Sequence, residues 1–227
     1  VPMLEPSDSE ECCTFTKLAY ELSEQFDTPV ILRLTTRVAH SCGIVTTEDR
    51  QERELIPYEK HPEKNVMLPA FARPKHIKVE ERTKKLAEWA ETCDINKIED
   101  NGSKIGVITS GIAYQYAKEA LGDTVSYLKL GMVNPLPVHL IQEFASKVEK
   151  VYVIEELDPV IEHFCRQNGI EVIGKDLFPI CGEFSQTLIA KLMLGKEPEK
   201  ITLDQKIPMR PPAMCCGCPH RGIFYTL

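Results

Sequence analysis

Between Lys104 and Glu156 short apolar runs alternate with helix-spaced patterns, and that alternation restricts the fold more than any other feature of the sequence. Ile105-Gly-Val-Ile-Thr109 follows the turn signal Asn101-Gly102 and stops at Ser110-Gly111. A branched apolar run of that length, bounded by turns, reads as a buried strand. Ala113, Tyr116, Ala117, Ala120 and Leu121 recur at the spacing of one helix face, closed by Gly122-Asp123. Val125 to Leu130 predicts a second strand. Pro135-Leu136-Pro137 opens a second helix carrying Ile141, Phe144, Ala145 and Val148, and Val151 to Ile154 gives a third strand that runs into Glu155-Glu156. Strands separated by helices in tight succession imply crossover connections and an α/β fold, a doubly wound parallel sheet covered on both faces.

The flanks are less regular. Ser7-Asp8-Ser9-Glu10 has the form of a capping box, so a helix is predicted to start there, with Phe15, Leu18, Ala19, Leu22 and Phe26 on its apolar face and a strand from Val30 to Leu34 after it. One helix and one strand cannot bury themselves, which marks residues 1–43 as the end of a preceding domain. From Gly43 to Lys78 the pattern dissolves around Pro57, Pro62, Pro69 and Pro74, as in a linker. Helical spacing resumes at Val79, Arg82, Leu86, Ala90 and Cys93, with Trp89 as a packing anchor. Beyond the third strand, Asp158-Pro159 reads as an N-cap with proline in the first turn of a helix carrying Ile161, Phe164 and Cys165. Ile170 to Ile173 predicts a short fourth strand, Glu183 to Leu194 a closing helix, and Lys196 to Pro212 a second linker. The resulting division is 1–43, 44–100, 101–196 and 197–227.

A formal net charge of -7 and the lack of a basic stripe argue against a nucleic-acid surface. No apolar run approaches the length of a membrane span. Nine cysteines, an odd number including the vicinal pairs Cys12-Cys13 and Cys215-Cys216, fit a reducing cytoplasm better than a disulfide scaffold. Val1 in place of an initiator methionine, and an apolar run at Ile223 to Leu227, lead to the expectation of an internal fragment.

Four places carry candidate chemistry. Cys215 and Cys218 have the spacing at which two thiolates bind one zinc or one iron-sulfur cluster, yet they are half of a four-ligand set. The same residues also suit a tight turn freed by Gly217. Thr35, Arg37 and His40 follow a predicted strand, at the edge where parallel sheets bind ligands, and suit a carboxylate or phosphate; a capped surface loop has the same composition. Ser110-Gly111 lacks the G-x-G-x-x-G and lysine-bearing patterns of phosphate loops, so a glycine easing the strand into a helix is the better account. Glu155-Glu156 suits either an acid and base pair or exposed carboxylates near a helix cap. His139 and His163 have no second ligand at helical spacing and are read as structural.

Three stretches, Lys104-Ile-Gly-Val-Ile-Thr-Ser-Gly-Ile-Ala-Tyr, Leu130-Gly-Met-Val-Asn-Pro-Leu-Pro and Val151-Tyr-Val-Ile-Glu-Glu, resemble the third domain of the transketolase group of thiamine diphosphate enzymes. That domain is architectural and dimer-forming. Pro211-Pro-Ala-Met-Cys-Cys-Gly-Cys-Pro-His-Arg-Gly-Ile-Phe-Tyr is similar to the entry of the diphosphate-binding domain in the alpha-subunit family of indolepyruvate ferredoxin oxidoreductases. Leu32-Arg-Leu-Thr-Thr-Arg-Val-Ala-His-Ser is similar to the end of that family's pyrimidine-binding domain. The resemblance covers essentially the whole chain. It implies an enzyme that decarboxylates an aryl 2-oxoacid with thiamine diphosphate and magnesium, passes electrons through 4Fe-4S clusters to ferredoxin, and delivers the acyl group to coenzyme A. It further implies a beta subunit as partner and a dimer of subunit pairs.

Carried over by the resemblance, Cys215 and Cys218 are cluster ligands, Gly217, Cys218 and His220 lie at the cofactor, and His220 is catalytic. The family's usual Cys-Pro-Gly-Cys is here Cys215-Cys216-Gly217-Cys218, which trades a turn-fixing proline for a third thiol. The Gly-Asp-Gly diphosphate signature, the pyrimidine-activating glutamate and the ferredoxin-like cysteine runs are absent from the sequence, so this stretch is expected to be inactive alone. Two rival readings are a transketolase-like or 2-oxoacid dehydrogenase component without iron-sulfur clusters, and a non-catalytic α/β dimerisation domain.

Overall fold

The computed structural model describes residues 1–52, 55, 57–197, 208 and 214–227. Two compact units are distinguished, Val1–Glu197 and Pro198–Leu227. The first opens with a two-residue strand, β1 (Met3–Leu4), and the helix α1 (Ser9–Phe26). The capping box is shifted by one residue from the sequence reading: Asp8 is the N-cap, its Oδ1 accepting from Glu11 N at 2.9 Å, while Glu11 Oε2 accepts from Ser7 N at 2.9 Å. Asp8 and Glu11 keep the same three-residue spacing as Ser7 and Glu10, which is why sequence alone could not choose between the registers. Strand β2 (Ile31–Leu32) and the short helix α2 (Thr36–His40) follow.

The stretch read as linker contains two helices, α3 (Pro62–Asn65) and the first half of α4 (Pro69–Thr92), which begins ten residues before Val79. Pro69 suits the first helical turn, whereas Pro74 forfeits an internal hydrogen bond. Only Leu86 and Ala90 of α4 are buried, so its first half has no fully buried face and leaves no apolar period in the sequence.

The predicted alternation follows: β3 (Lys97–Glu99), β4 (Ile105–Ser110), α5 (Gly111–Leu121), β5 (Ser126–Leu130), β6 (Met132–Asn134), α6 (Val138–Ser146), β7 (Lys150–Ile154), α7 (Val160–Gln167) and α8 (Gln186–Leu194). Strand order in the main sheet is β3-β5-β4-β7, with β4 parallel to both neighbours and β3 an antiparallel edge. The connection through α5 leads to one side of β4 and that through α6 to the other, so the sheet is doubly wound with a switch point between β4 and β7. Ile170 to Ile173 forms only a bridge, Ile173 to Tyr152, and no fourth parallel strand. The proline after Asp158 is itself the N-cap position of α7, and its side chain has nothing to donate or accept.

Alternation along the strands divides the core. Ile108, Leu128, Leu130, Val151 and Val153 pack with Ile141 and Phe144 of α6 and Ile161 and Cys165 of α7. Val107, Tyr127 and Ile154 face α5 and α8 on the opposite side. Each fully buried side chain of this size contributes about 1.5–3 kcal/mol relative to exposure. A third core joins the N-terminal segment to the rest: Leu4, Phe15 and Leu22 pack on Ala90 and Met132, with Trp89 alongside. β1 pairs with β2 and with β6, giving a small second sheet in the order β2-β1-β6. Asn96 fixes the junction, donating to Ala90 O at 2.8 Å and accepting from Gly131 N at 2.9 Å and Met132 N at 3.0 Å. Lys129, 6% exposed, is paired with Glu11 and donates to Ser7 Oγ at 2.8 Å, with the Tyr114 ring centroid 4.4 Å from its ammonium.

In the second unit the helix α9 (His220–Thr226) follows the cysteine motif. Of the second predicted linker, Lys196 to Pro212, only Lys196, Glu197 and Pro208 fall within the described residues, and Pro211, Pro212 and Ala213 of the motif lie outside them.

Candidate functional site

Helices α5, α6 and α7 all start from the carboxyl edge of the parallel sheet, the edge where α/β proteins of this winding bind ligands. A helix N-terminus offers unpaired N–H groups and partial positive charge, and commonly receives a phosphate or carboxylate. Here the chain's own carboxylates stand at all three. Glu155 accepts from Ile161 N at 2.8 Å and Glu162 N at 3.0 Å at the start of α7. Glu91, from the end of α4, accepts from His139 N at 3.0 Å and Leu140 N at 2.8 Å at the start of α6. Glu5, just after β1, accepts from Ser110 Oγ at 3.1 Å and crowds Gly111, where an added Cβ would meet its Oε1 at 2.7 Å. Gly111 has φ +50, so the glycine both turns the strand into α5 and leaves room for the carboxylate.

Around these groups lies a crevice of about 380 Å³ at the switch point, lined by Glu5, Arg33, Thr35, Ser110, Glu155 and Glu156 among others. Arg33 Nη1 donates to Glu5 Oε1 at 2.9 Å. Burial holds the Glu5 carboxyl above the usual carboxylate range, against the lowering influence of Arg33 and the Ser110 hydroxyl. Burial likewise raises Glu155, opposed by the two backbone N–H groups it accepts. Glu156 accepts from Phe184 N at 2.7 Å. The carboxylates of Glu155-Glu156 are therefore structural acceptors, as the cap reading expected, although Glu155 is buried and not exposed.

The three residues expected to receive substrate are divided between two places. Thr35 lines the crevice and accepts from Val38 N at 3.4 Å as the N-cap of α2. Arg37 and His40 line a separate open groove of about 430 Å³ with Thr36, Ser41 and Glu183. Arg37 already holds a carboxylate there: its Nη2 donates to Glu183 Oε2 at 2.9 Å and its Nε to Oε1.

In the second unit Cys215 to Cys218 is a tight turn, with Cys218 N donating to Cys215 O at 3.1 Å and Gly217 at φ +79. Arg221 Nη2 donates to Met214 O at 3.1 Å and braces the turn from the first residues of α9. Cys215 and His220 are exposed, Cys218 is half-buried, and both cysteines are free. Among the described residues no group of three or more His, Cys, Asp or Glu is placed to hold a metal ion. As a donor set, the two thiolates fit half of a cluster or zinc site and no more. For a diphosphate these helix ends fit poorly: Glu91 and Glu155 take the N–H groups of α6 and α7, and Glu5 crowds the start of α5 through Ser110 and Gly111.

Sequence reasoning missed Glu5, Glu91, Glu183 and Lys129. Their partners lie 105, 48, 146 and 118 residues away, and no local pattern announces such pairs. A lysine in the middle of an apolar strand, as in Ser126-Tyr-Leu-Lys-Leu130, was the one available signal.

No protein-family model matches the chain. Among curated proteins it is 37% identical over 248 residues to indolepyruvate oxidoreductase subunit IorA of Archaeoglobus fulgidus. It is 38% identical to the subunits of the same name from Methanothermobacter marburgensis and Pyrococcus horikoshii. Each match covers 100% of this chain and 40% of the relative, so the chain spans about two-fifths of their length. Among solved structures the fold matches a 2-oxoglutarate:ferredoxin oxidoreductase from Magnetococcus marinus, solved with 2-oxoglutarate, coenzyme A and succinyl-CoA bound. That match has a TM-score of 0.56 and 18% identity, and covers 84% of this chain and 41% of the other. Aligned from end to end with a portion of these subunits, the chain belongs to the IorA family of indolepyruvate oxidoreductases.

Proposed function

We propose that this chain is an architectural portion of the alpha subunit of an oxidoreductase that oxidatively decarboxylates indolepyruvate or a related aryl 2-oxoacid. Ferredoxin takes the electrons and coenzyme A the acyl group. The observation that carries the architectural reading is that Glu91 and Glu155 take the N–H groups at two helix N-termini of the sheet edge while Glu5 crowds the third at Ser110 and Gly111. A doubly wound domain that bound a diphosphate would keep one such end open.

Residues 1–43 are read as the end of a pyrimidine-binding domain, 44–100 as linker and connecting helix, 101–196 as the transketolase C-terminal-like domain, and 197–227 as the approach to a diphosphate-binding domain. Thiamine diphosphate, held with magnesium by flanking parts of the subunit, supplies the electron sink for decarboxylation. The chain's own contributions are positional. Arg37 and His40, with Thr35 beside them, receive the substrate's carboxylate. Cys215 and Cys218 present two thiolates from one turn toward a 4Fe-4S cluster, Gly217 shapes that turn, and His220 at the start of α9 donates to developing negative charge beside the cofactor.

The relatives' name as a subunit supports a beta-subunit partner, in a dimer of subunit pairs. Nine free cysteines support a cytoplasmic location, and no helix among the described residues is long and apolar enough to cross a membrane.

Calorimetric titration of the 227-residue chain with thiamine diphosphate and magnesium tests the architectural reading. No saturable heat is expected at micromolar cofactor, since the missing half of the site has to be ordered from nothing. A saturable micromolar isotherm would show that the cofactor site lies within this chain.

A further inference from the structure

Arg37 and Glu183 are 146 residues apart in sequence and meet in a forked, two-point contact. That geometry is the one a guanidinium offers to any carboxylate, and it makes Glu183 a record of what the groove accepts. Both side chains are open to solvent, 56% exposed for Arg37 and 53% for Glu183, so the pair is screened and contributes little net attraction. Exchanging one carboxylate for another there is inexpensive.

The backbone beside Glu183 is fixed in a way that confines the exchange to the side chain. Phe184 is buried and its N–H is held by Glu156, Ser185 caps α8 by accepting from Leu188 N at 3.2 Å, and Gly182 on the other side has φ +95. On α5 the Tyr116 hydroxyl is the one buried side-chain oxygen or nitrogen among the described residues that lacks a hydrogen-bond partner. Arg37, Glu156 and Glu183 are the charges that act on it. An orphaned buried hydroxyl calls for an acceptor that the resting structure does not supply.

We propose that Glu183 is a displaceable internal carboxylate, which occupies Arg37 until a small-molecule carboxylate carrying a second acceptor takes its place beside Arg37, His40 and Tyr116. This deepens the assignment of Arg37 and His40 to substrate binding and rests on it. A 2-oxoacid has the required chemistry: the carboxylate matches the fork, and the neighbouring oxo oxygen is an acceptor that Glu183 lacks. The apparent affinity is then reduced by the fraction of time Glu183 holds the guanidinium.

The test is a titration of the chain with indolepyruvate, followed through the Nε–H resonance of Arg37. It is repeated for Glu183→Gln, Arg37→Gln and Tyr116→Phe, with thermal melts to confirm that each is folded. If Glu183 occupies Arg37 about nine-tenths of the time, Glu183→Gln lowers the dissociation constant about tenfold. Arg37→Gln abolishes binding, alone and in combination with Glu183→Gln, and Tyr116→Phe weakens it. Binding by the parent chain with no gain in Glu183→Gln overturns the gate while leaving Arg37 as a substrate residue. Absence of binding even in Glu183→Gln, where the guanidinium is released, overturns both. Inorganic phosphate binding as well as indolepyruvate in Glu183→Gln overturns the carboxylate class.

Discussion

Glu155 shows how a single side chain decides what an edge of a sheet can do. In sequence it stood beside Glu156 as an acid and base pair or a cap, and local spacing could not separate the two. In the structure it takes up two N–H groups at the start of α7, and Lys175 and Glu162 are the nearest charges. Glu155→Ala leaves those N–H groups unmet and is expected to cost about 1–2 kcal/mol in urea unfolding. The pH trend separates burial from capping. Burial raises the folded-state value of this carboxyl above its unfolded one, so between the two the folded chain binds the proton more tightly. The contribution of Glu155 to stability is therefore largest below the unfolded value and declines as pH rises through the raised one. Glu155→Gln cannot titrate, so the urea midpoint of the parent is expected to fall relative to this variant as pH rises from the ordinary carboxylate value through the raised one. A pH-independent difference would mean that the N–H contacts offset burial completely. Glu5 was illegible in the sequence for a different reason: only the fold brings it to Ser110 and Gly111.

At the scale of elements, legibility followed length and periodicity. β4, α5, β5, α6 and β7 were readable because each carries an apolar face that the core uses. β1, β3 and β6 are two or three residues long, too short for alternation to register. The first half of α4 escaped because none of its side chains is fully buried, and Ile170 to Ile173 had strand composition but joins the sheet through one bridge. The exposed half-helix bears on proteolysis. Limited digestion is expected to cut first between Gly43 and Leu68, then within the unpacked turns from Pro69 to Lys78, and to spare 79–92, where Leu86 and Ala90 are buried. Mass spectrometry of the early fragments checks this order. Early cleavage between Val151 and Phe164, inside a strand and helix with buried faces, would contradict the packing described for α7.

For the whole molecule, the family was legible because its motifs are contiguous, whereas the candidate site was not, because its side chains come from distant elements. The thiolate turn is the clearest case, since Cys215 and Cys218 offer two donors where a cluster takes four. In the complete subunit, Cys218→Ala is expected to lower iron content and electron transfer to ferredoxin; unchanged iron would make the motif a turn alone. His220→Ala is expected to slow turnover about 100-fold or more with iron intact, the usual effect of losing one donor to developing charge. Normal turnover on indolepyruvate would return His220 to a structural part in the turn. The buried pair of Glu11 and Lys129 has a further consequence, in the order of synthesis. The two residues are 118 positions apart, and at about 5–20 residues per second a ribosome makes Lys129 on the order of ten seconds after Glu11. Through that interval Leu4, Phe15 and Leu22 have no Met132 to cover them, and α1 waits as an amphipathic helix with an open apolar face. The cover of α1 thus depends on β6, so a nascent chain halted before Met132 is expected to leave that apolar face open to chaperones and to misassembly.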